Sequence, residues 1–509
     1  MLEVKSFWDL IEQRARTTPD ARMAVDESGR VMTFAQYRDQ AERAAAGLQA
    51  MGIGEGTVVS WQLPTWLESF VLCASLSRLQ AIQNPILPIY REREVGFIAR
   101  QAKTRLLVVP STWRNFDFEG MARGIAQNTE GLDVLVSDKL LPDGDPKTLP
   151  APPSTTTAKD APVRWLFYTS GTTADPKGAQ HTDHTIAAAA IGMSERLALT
   201  DQDRSGVVFP FTHIAGPIWL MSSLLTGCTL IIDEAFDPVR TTQFLKDNDV
   251  TLAGSGTIFH MAYLKAQREQ PSAPLFPHVR AFPGGGAPKP PQLHYDMSKE
   301  MSAPIVSGYG LTESPILTMA SVDDADEALA NTEGSAMRGV ELRVVTLEGK
   351  VAGIGEEGEI RTKAPQVMRG YLDSSLDKDA FDEDGYFRTG DLGKLDADGN
   401  VTITGRLKDI IIRKGENISA KEVEDLLFQH PKVADVAVIG LPDPASGEIA
   451  CAVVALKDAG SLSLLEVADF LKEKGLRNQA IPERVEVVSA LPRNPAGKVL
   501  KQDLKKQFA

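Results

Sequence analysis

Three short apolar runs in this sequence end in glycine-rich backbone, and this repeated pattern constrains the fold more than any other feature. Val163–Phe167 leads into a Ser/Thr/Gly segment, and the runs that begin at Arg280 and Pro304 end in Gly284-Gly-Gly286 and Gly308-Tyr-Gly310. If the runs are strands of a sheet, their flexible ends meet at one sheet edge and form a ligand crevice there. Three unrelated turns are the alternative interpretation.

The segment after the first run, Tyr168-Thr-Ser-Gly-Thr-Thr-Ala-Asp-Pro-Lys-Gly178, has the composition of a phosphate-binding loop. Gly171 and Gly178 allow the backbone to turn and approach a ligand closely, and Lys177 adds a positive charge. Donors to phosphate oxygens come from the hydroxyls and amides of Thr169, Ser170, Gly171, Thr172 and Thr173. The segment lacks the Gly-Lys-Ser/Thr spacing of a Walker loop. A hydrophilic surface loop is the alternative interpretation.

Strand and helix patterns alternate from Phe7 to Gly310 and predict an α/β core with crossover helices. From Gly339 the pattern changes to short alternating strands separated by Asp-Gly turns, which predict a small β-rich subdomain. Gly353-Ile-Gly-Glu-Glu-Gly358 has the GxGxxG spacing, but no helix pattern follows it, so we interpret it as a turn. The last hundred or so residues alternate on a smaller scale and predict a compact second domain.

The composition excludes several classes of protein. A chain of 509 residues is long enough for two or more domains, and its net charge of -14 argues against a nucleic-acid or anionic-membrane surface. Cys73, Cys228 and Cys451 form no CxxC pair, which fits a reducing compartment. The sequence shows no signal peptide and no membrane-spanning run, so it predicts a cytoplasmic protein. The sequence neither predicts nor excludes a homodimer.

Five motifs resemble, in the expected order, the signatures of the adenylate-forming (AMP-binding) superfamily, in its acyl-CoA synthetase and fatty-acid–CoA ligase branch. They are Tyr168–Gly178, Ser307-Gly-Tyr-Gly-Leu-Thr-Glu-Ser314, Tyr386-Phe-Arg-Thr-Gly-Asp-Leu392, Gly405-Arg-Leu-Lys-Asp409 and Asn494-Pro-Ala-Gly-Lys498. The resemblance implies a large N-terminal AMP-binding domain, residues 1–405, made of two α/β sheet subdomains and a small β-rich subdomain. It also implies a small α+β C-terminal domain, residues 406–509, that rotates about a hinge.

The resemblance also implies the ATP-binding residues. Tyr309, beside Gly310, stacks on adenine, and Gly286 and Ala287 belong to the adenine-pocket turn. Thr312 bonds the α-phosphate and Glu313 helps to hold Mg2+. Asp391 and Arg406 bind the ribose hydroxyls. A buried tyrosine in a turn and an ordinary surface ion pair are the alternative interpretations.

Further roles follow from the same resemblance. Lys498 matches the terminal catalytic lysine, although a lysine near a C-terminus is normally solvated. Lys408 matches the hinge, and Gly415 matches the glycine that lines the pantetheine tunnel for CoA. The implied acyl pocket contains His213, Gly216, Trp219, Ser307 and Gly308. A core histidine is an equal alternative for His213.

The sequence departs from the family at several positions. Ala174 stands where the family usually has glycine, and Ile412 stands where beetle luciferases carry an additional lysine. His181-Thr-Asp-His184 has metal-like spacing, but no third ligand is nearby, so we interpret it as non-catalytic. Gly334–Gly339 lacks the prolines that are common there.

The function implied is an ATP-dependent acyl-CoA ligase that uses Mg2+ and forms acyl-AMP before the thioester. The glycines and the lack of a basic residue in the implied pocket predict an apolar monocarboxylate, either a medium-to-long fatty acid or a bulky alicyclic or steroid-like acid. An aryl-acid CoA ligase and an enzyme that loads a carrier-protein phosphopantetheine are the alternatives. A catalytically silent nucleotide-binding protein is a third hypothesis.

Overall fold

The computed structural model describes residue 2 and residues 4–169, 176–286, 289–413, 416–444, 446–493 and 498–509. It is a mixed α/β structure with several sheets, as the sequence predicts. Within the described ranges, no helix is both long enough and apolar enough to cross a membrane.

The helices alternate with strands through most of the chain. They are α1 (Phe7–Thr17), α2 (Phe34–Ala50), α3 (Leu67–Arg78), α4 (Glu92–Gln101), α5 (Phe118–Gln127), α6 (Asp183–Arg196), α7 (Ala215–Thr226), α8 (Arg240–Asp247), α9 (Thr257–Glu269), α10 (Pro291–Met301), α11 (Asp326–Asn331), α12 (Asp377–Ala380), α13 (Ala420–Leu427), α14 (Leu464–Glu473) and α15 (Lys501–Phe508). Local sequence signals determine where several of these helices begin. Thr33 and Gln36 form a capping box at α2, and the Ser419 side chain caps α13.

The strands are short in the first half and longer in the last hundred residues. They are β1 (Arg22–Asp26), β2 (Val31–Thr33), β3 (Val58–Trp61), β4 (Ile82–Pro85), β5 (Leu106–Val109), β6 (Thr112–Trp113), β7 (Phe116–Asp117), β8 (Asp133–Val136), β9 (Trp165–Thr169), β10 (Lys177–His181), β11 (Arg204–Val207), β12 (Thr229–Ile232), β13 (Leu252–Ala253), β14 (Phe282–Gly285), β15 (Ile305–Tyr309), β16 (Thr318–Met319), β17 (Ser335–Ala336), β18 (Glu341–Val345), β19 (Gly358–Lys363), β20 (Phe387–Leu395), β21 (Val401–Arg406), β22 (Ile410–Arg413), β23 (Glu416–Ser419), β24 (Val433–Asp443), β25 (Gly447–Leu456) and β26 (Arg484–Val488).

Two largely parallel sheets form the first half of the chain. One has the order β13-β11-β12-β1-β2, and the other has the order β10-β9-β4-β3-β5-β8. In each sheet one edge strand is antiparallel, β2 in the first and β10 in the second. The remaining strands are parallel to their neighbours, because helices cross over between them. The predicted pair of α/β sheets is confirmed.

A third sheet, β14-β15-β16-β17, extends the first one through a bridge between Leu252 and Ala281. Strands β14 and β15 approach each other closely, since a Cβ atom at Gly285 would lie 2.9 Å from the Gly308 carbonyl oxygen. The glycines of these two strand ends therefore allow the backbones to lie side by side at the sheet edge.

The later part of the chain forms two further sheets. Strands β18 to β21 make the predicted β-rich subdomain, and Gly353–Glu357 is a turn before β19, as predicted. The last sheet has the order β23-β22-β25-β24, with β26 parallel to β25. It has its own core, which includes Val423, Val438 and Leu471. This separate core explains why the small domain is a distinct unit.

One strand differs from its prediction. The apolar pattern predicts that Val207–Gly216 is a strand ending in a turn, whereas β11 ends at Val207. Pro210 has no N–H for a ladder, and its carbonyl accepts from His213 N at 2.9 Å, so the chain turns directly into α7. The sequence analysis also missed β26 and α15, which complete the C-terminal sheet.

Candidate active site

The ends of β9, β14 and β15 meet at one cavity of about 1110 Å3. Its wall includes Phe167–Thr169, Pro283–Gly286 and Gly308–Glu313 from the large domain. Residues of the last hundred positions, including Lys498, also line the cavity. The ends of all three strands therefore border one crevice.

A hydrogen-bonded corner joins three residues of different motifs. The Tyr309 hydroxyl donates to Asp391 Oδ2 at 2.9 Å, and Arg406 Nε lies 2.6 Å from Asp391 Oδ1. Asp391 is 3% exposed and lies behind the cavity surface, whereas Tyr309 and Arg406 line the cavity. Register explains part of this corner, since Asp391 pairs directly with Arg406 across β20 and β21. A ribose hydroxyl would have to share the Asp391 lone pairs with Tyr309.

The Thr312–Glu313 pair lies on the cavity wall beside a tyrosine that the sequence analysis did not select. The Tyr371 hydroxyl donates to Glu313 Oε1 at 2.8 Å, and Lys177 Nζ lies 5.4 Å from the centroid of the Tyr371 ring. Burial, followed by the charge of Glu313, raises the pKa of Tyr371, so its hydroxyl keeps its proton. Its signal in the sequence is an ordinary Gly370-Tyr371 pair, 58 residues from Glu313.

Lys498 lies in the cavity wall with Arg406 and Lys408. Burial first, and then the positive charges of Arg406 and Lys408, lower the pKa of Lys498 to about 8. Burial and the charge of Arg406 also lower the pKa of Lys408. An anion entering between these groups would gain from all three positive charges, which is the electrostatic setting that a polyphosphate requires.

Part of the cavity wall is apolar. This part includes Met193, Ile214, Ile218, Trp219, Phe259 and Met319. His213 also lies there; burial lowers the pKa of its imidazole to about 4, and Nδ1 accepts from Ala215 N at 3.2 Å. His213 is therefore neutral near pH 7 and adds no charge to the cavity wall.

The structure separates the predicted site residues into three groups. Those on the cavity wall are Thr169, Lys177, His213, Trp219, Gly286, Gly308, Tyr309, Gly310, Thr312, Glu313, Arg406, Lys408 and Lys498. Gly216 and Ser307, predicted for the acyl pocket, lie behind the wall instead, as does Asp391. A Cβ at Gly216 would lie 2.0 Å from the Phe211 carbonyl oxygen, so this glycine packs on backbone in α7. Outside the described residues are Ser170, Gly171, Thr172, Thr173, Ala287 and Gly415.

Comparison with known proteins identifies the family. The family model described as AMP-binding enzyme matches residues 11–372. The family model described as AMP-binding enzyme C-terminal domain matches residues 422–498. The chain belongs to the AMP-binding enzyme family. It is an AMP-forming acid–thiol ligase that uses ATP and CoA.

Several relatives of this AMP-binding enzyme are similar over nearly its whole length. The medium-chain fatty-acid–CoA ligase of Escherichia coli (strain K12) is 32% identical over 514 residues, covering 99% of this chain and 90% of the relative. The 2-hydroxy-7-methoxy-5-methyl-1-naphthoate–CoA ligase of Streptomyces carzinostaticus is 30% identical, covering 99% and 93%. The crystal structure of ATP-bound MatB from Rhodopseudomonas palustris aligns with a TM-score of 0.89 at 26% identity, covering 98% of this chain and 99% of that one.

Proposed function

We propose that this enzyme activates an apolar monocarboxylic acid, a medium-to-long fatty acid or a bulky alicyclic or steroid-like acid, and transfers it to CoA. The observation that carries the proposal is the mixed lining of one cavity, which includes the charged side chains Lys498, Arg406 and Glu313 and a group of apolar side chains. Such a cavity fits a polyphosphate against its charged lining and an apolar acyl group against its apolar lining.

In the first half-reaction the substrate carboxylate oxygen attacks the α-phosphorus of ATP. The new O–P bond forms as the bond to the β-phosphate oxygen breaks, which releases pyrophosphate and leaves acyl-AMP. Both reactants are anions, so charge must be neutralised at the α-phosphate. We assign this task to Lys498 and Thr312, and assign to Tyr309, Asp391 and Arg406 the positioning of the nucleoside.

The described residues fit Mg2+ as a companion of ATP. Among the residues that the structure describes, there is no cluster of three or more His, Cys, Asp or Glu side chains that could hold a metal alone. Mg2+ in nucleotide enzymes usually binds one or two carboxylates together with substrate phosphates. Glu313, on the cavity wall, would hold it, and the bound ion would supply neutralisation of phosphate charge.

In the second half-reaction the CoA thiolate attacks the acyl carbonyl carbon, and the bond to AMP breaks. Lys498 then has no displacement at phosphorus to stabilise, because the phosphate leaves intact as part of AMP. We infer a division into residues 1–405 and 406–509, with rotation at Lys408, which lies in a short 3₁₀ turn, Leu407–Asp409, directly after β21. Gly415 would line the pantetheine tunnel after that rotation.

The charge distribution supports an acid with a single carboxylate. Between Met193 and Met261, the described lining residues include no Lys, Arg, Asp or Glu. A second carboxylate there would be desolvated without a partner, which is strongly unfavourable. Apolar acyl groups gain about 0.8 kcal/mol for each buried methylene in such a wall.

Acid-dependent pyrophosphate exchange over a panel of acids tests the proposal, followed by AMP release with CoA or with a carrier protein. The panel contains acetate, fatty acids of increasing length, aryl acids, and alicyclic and steroid-like acids. We expect exchange with apolar acids and thioester formation on free CoA. A preference for acetate or an aryl acid would overturn the substrate class. Thioester formation only on the carrier protein would overturn the acceptor.

A further inference from the structure

His181 is a buried histidine that contacts the backbone of the site. Its Nε2 atom lies 2.9 Å from the Thr312 carbonyl oxygen, and its Nδ1 atom lies 3.0 Å from Thr185 Oγ1. The Thr312 carbonyl can only accept, so Nε2 carries the proton and donates. Thr185 is fixed in turn by the capping box that it forms with Thr182 at the start of α6. The ring is thus held on one side and contacts Thr312 on the other.

Tyr371 holds the adjacent residue from a segment that pairs with β10. Backbone bonds join this segment, residues 368–372, to β10: Arg369 N donates to Gln180 O at 2.8 Å, and Leu372 N donates to Gly178 O at 2.8 Å. The same segment donates from Met368 N to the Glu313 carbonyl at 2.8 Å, while the Tyr371 hydroxyl reaches the Glu313 carboxylate. Glu313 is therefore held at both its backbone and its side chain.

We propose that His181 and Tyr371 are positioning residues for adenylate formation, and that together they clamp Thr312 and Glu313 to the strand that follows the phosphate loop. His181 is the last residue of β10, which begins at Lys177. Tyr371 lies in the segment that pairs with β10. The clamp rests on the proposed function, because its effect is confined to the first half-reaction.

The pKa of His181 supports a permanent donor. Burial lowers it to about 4, so the imidazole stays neutral across the working pH range and one tautomer persists. A glutamine amide at this position would also offer a donor, whereas leucine would fill the space without one. The Thr312 carbonyl would then lose its partner, and the peptide would relax away from its position.

The test measures each half-reaction separately in H181L, H181Q and Y371F. We expect the exchange kcat of H181L to fall about 10- to 100-fold, as displacement of a phosphate-binding group would cause. H181Q should recover to within about threefold of wild type, because its amide restores the bond. Thioester formation from supplied acyl-AMP should stay unchanged in all three. ATP binding measured by fluorescence gives the Mg2+ concentration at half-saturation. We expect this concentration to rise about fivefold in Y371F.

Matched controls separate the clamp from general effects of substitution. H184L removes a nearby histidine whose Nε2 contacts Thr156 O, and Y295F removes a surface hydroxyl that donates to Glu327 at 3.0 Å. Both controls should match wild type in every assay. Equal losses of H181L in both half-reactions, or an H181Q no better than H181L, would overturn the clamp. If H181L does not fold, the results for H181Q and Y371F test the clamp. A wild-type enzyme without exchange would overturn the proposed function instead. The clamp would then be tested by comparing the Mg2+ dependence of ATP binding in Y371F and wild type.

Discussion

The Tyr309 hydroxyl donates a hydrogen bond to Asp391 Oδ2 across a sequence separation of 82 residues. This bond joins the residue proposed to stack on adenine to the residue proposed to bind ribose. Burial, followed by the charge of Asp391, raises the pKa of Tyr309 well above its usual value, so the hydroxyl remains a donor. The nucleoside corner is thus ordered before ATP enters, which reduces the entropy lost on binding.

Substitution of Tyr309 separates its ring from its hydroxyl. In Y309F we expect the KM for ATP to change less than about threefold, because the stacking ring remains. In Y309L we expect it to rise about tenfold or more, since base–aromatic stacking contributes about 1–3 kcal/mol. Steady-state exchange kinetics measure both. A phenylalanine variant as impaired as the leucine variant would show that the hydroxyl, and not the ring, carries nucleotide binding.

Substitution of Lys498 tests its assignment to one half-reaction. In K498M we expect the exchange kcat to fall about 10²- to 10³-fold, as when one group that stabilises transition-state charge is removed. Thioester formation from supplied acyl-AMP and CoA should remain within about threefold of wild type. K505M, a half-buried lysine of α15 that does not line the cavity, serves as the control. A parallel loss in both half-reactions would contradict the assignment.

The pKa of Lys498 predicts a pH dependence of ATP binding. In the free enzyme the lysine loses its proton as the pH rises through about 8. Phosphate charge favours the protonated form, so ATP binding near this pH should take up a proton and weaken as the pH rises further. Calorimetry in buffers of different ionisation enthalpy measures this uptake at pH 8.5. K498M should show no uptake from this group, and an undiminished uptake would assign the proton elsewhere.

Shortening Trp219 should enlarge the cavity at its apolar lining, since this side chain is 5% exposed and lies on the wall. In W219A we expect kcat/KM to shift toward longer or bulkier acids by about tenfold, in line with the worth of one or two buried methylenes. The acid panel of the wild-type assay measures the shift. The KM for ATP should not change; a change in ATP affinity without a change in acid preference would place Trp219 outside the acyl pocket.

The sequence alone carried much of the fold. The cap at Thr33, the Asp-Gly turns and the glycines at Gly285 and Gly308 act over a few residues, so they can be interpreted without the tertiary structure. The strand and helix patterns were sufficient to predict an α/β core, a β-rich subdomain and a small second domain, and the family resemblance implied two α/β sheets. The ends of the strands were predicted less accurately, as at β11, where Pro210 ends the strand pairing earlier than the apolar pattern indicates.

The tertiary structure decided which groups act on one another. The bonds from Tyr371 to Glu313 and from His181 to Thr312 join residues 58 and 131 positions apart, and no local pattern encodes such pairs. The same is true of burial: Asp391, Gly216 and Ser307 belong to recognisable motifs, yet packing places all three behind the cavity wall. Local propensity and motif chemistry determined the parts, because they depend on neighbours in sequence. Long-range packing alone determined how the parts meet.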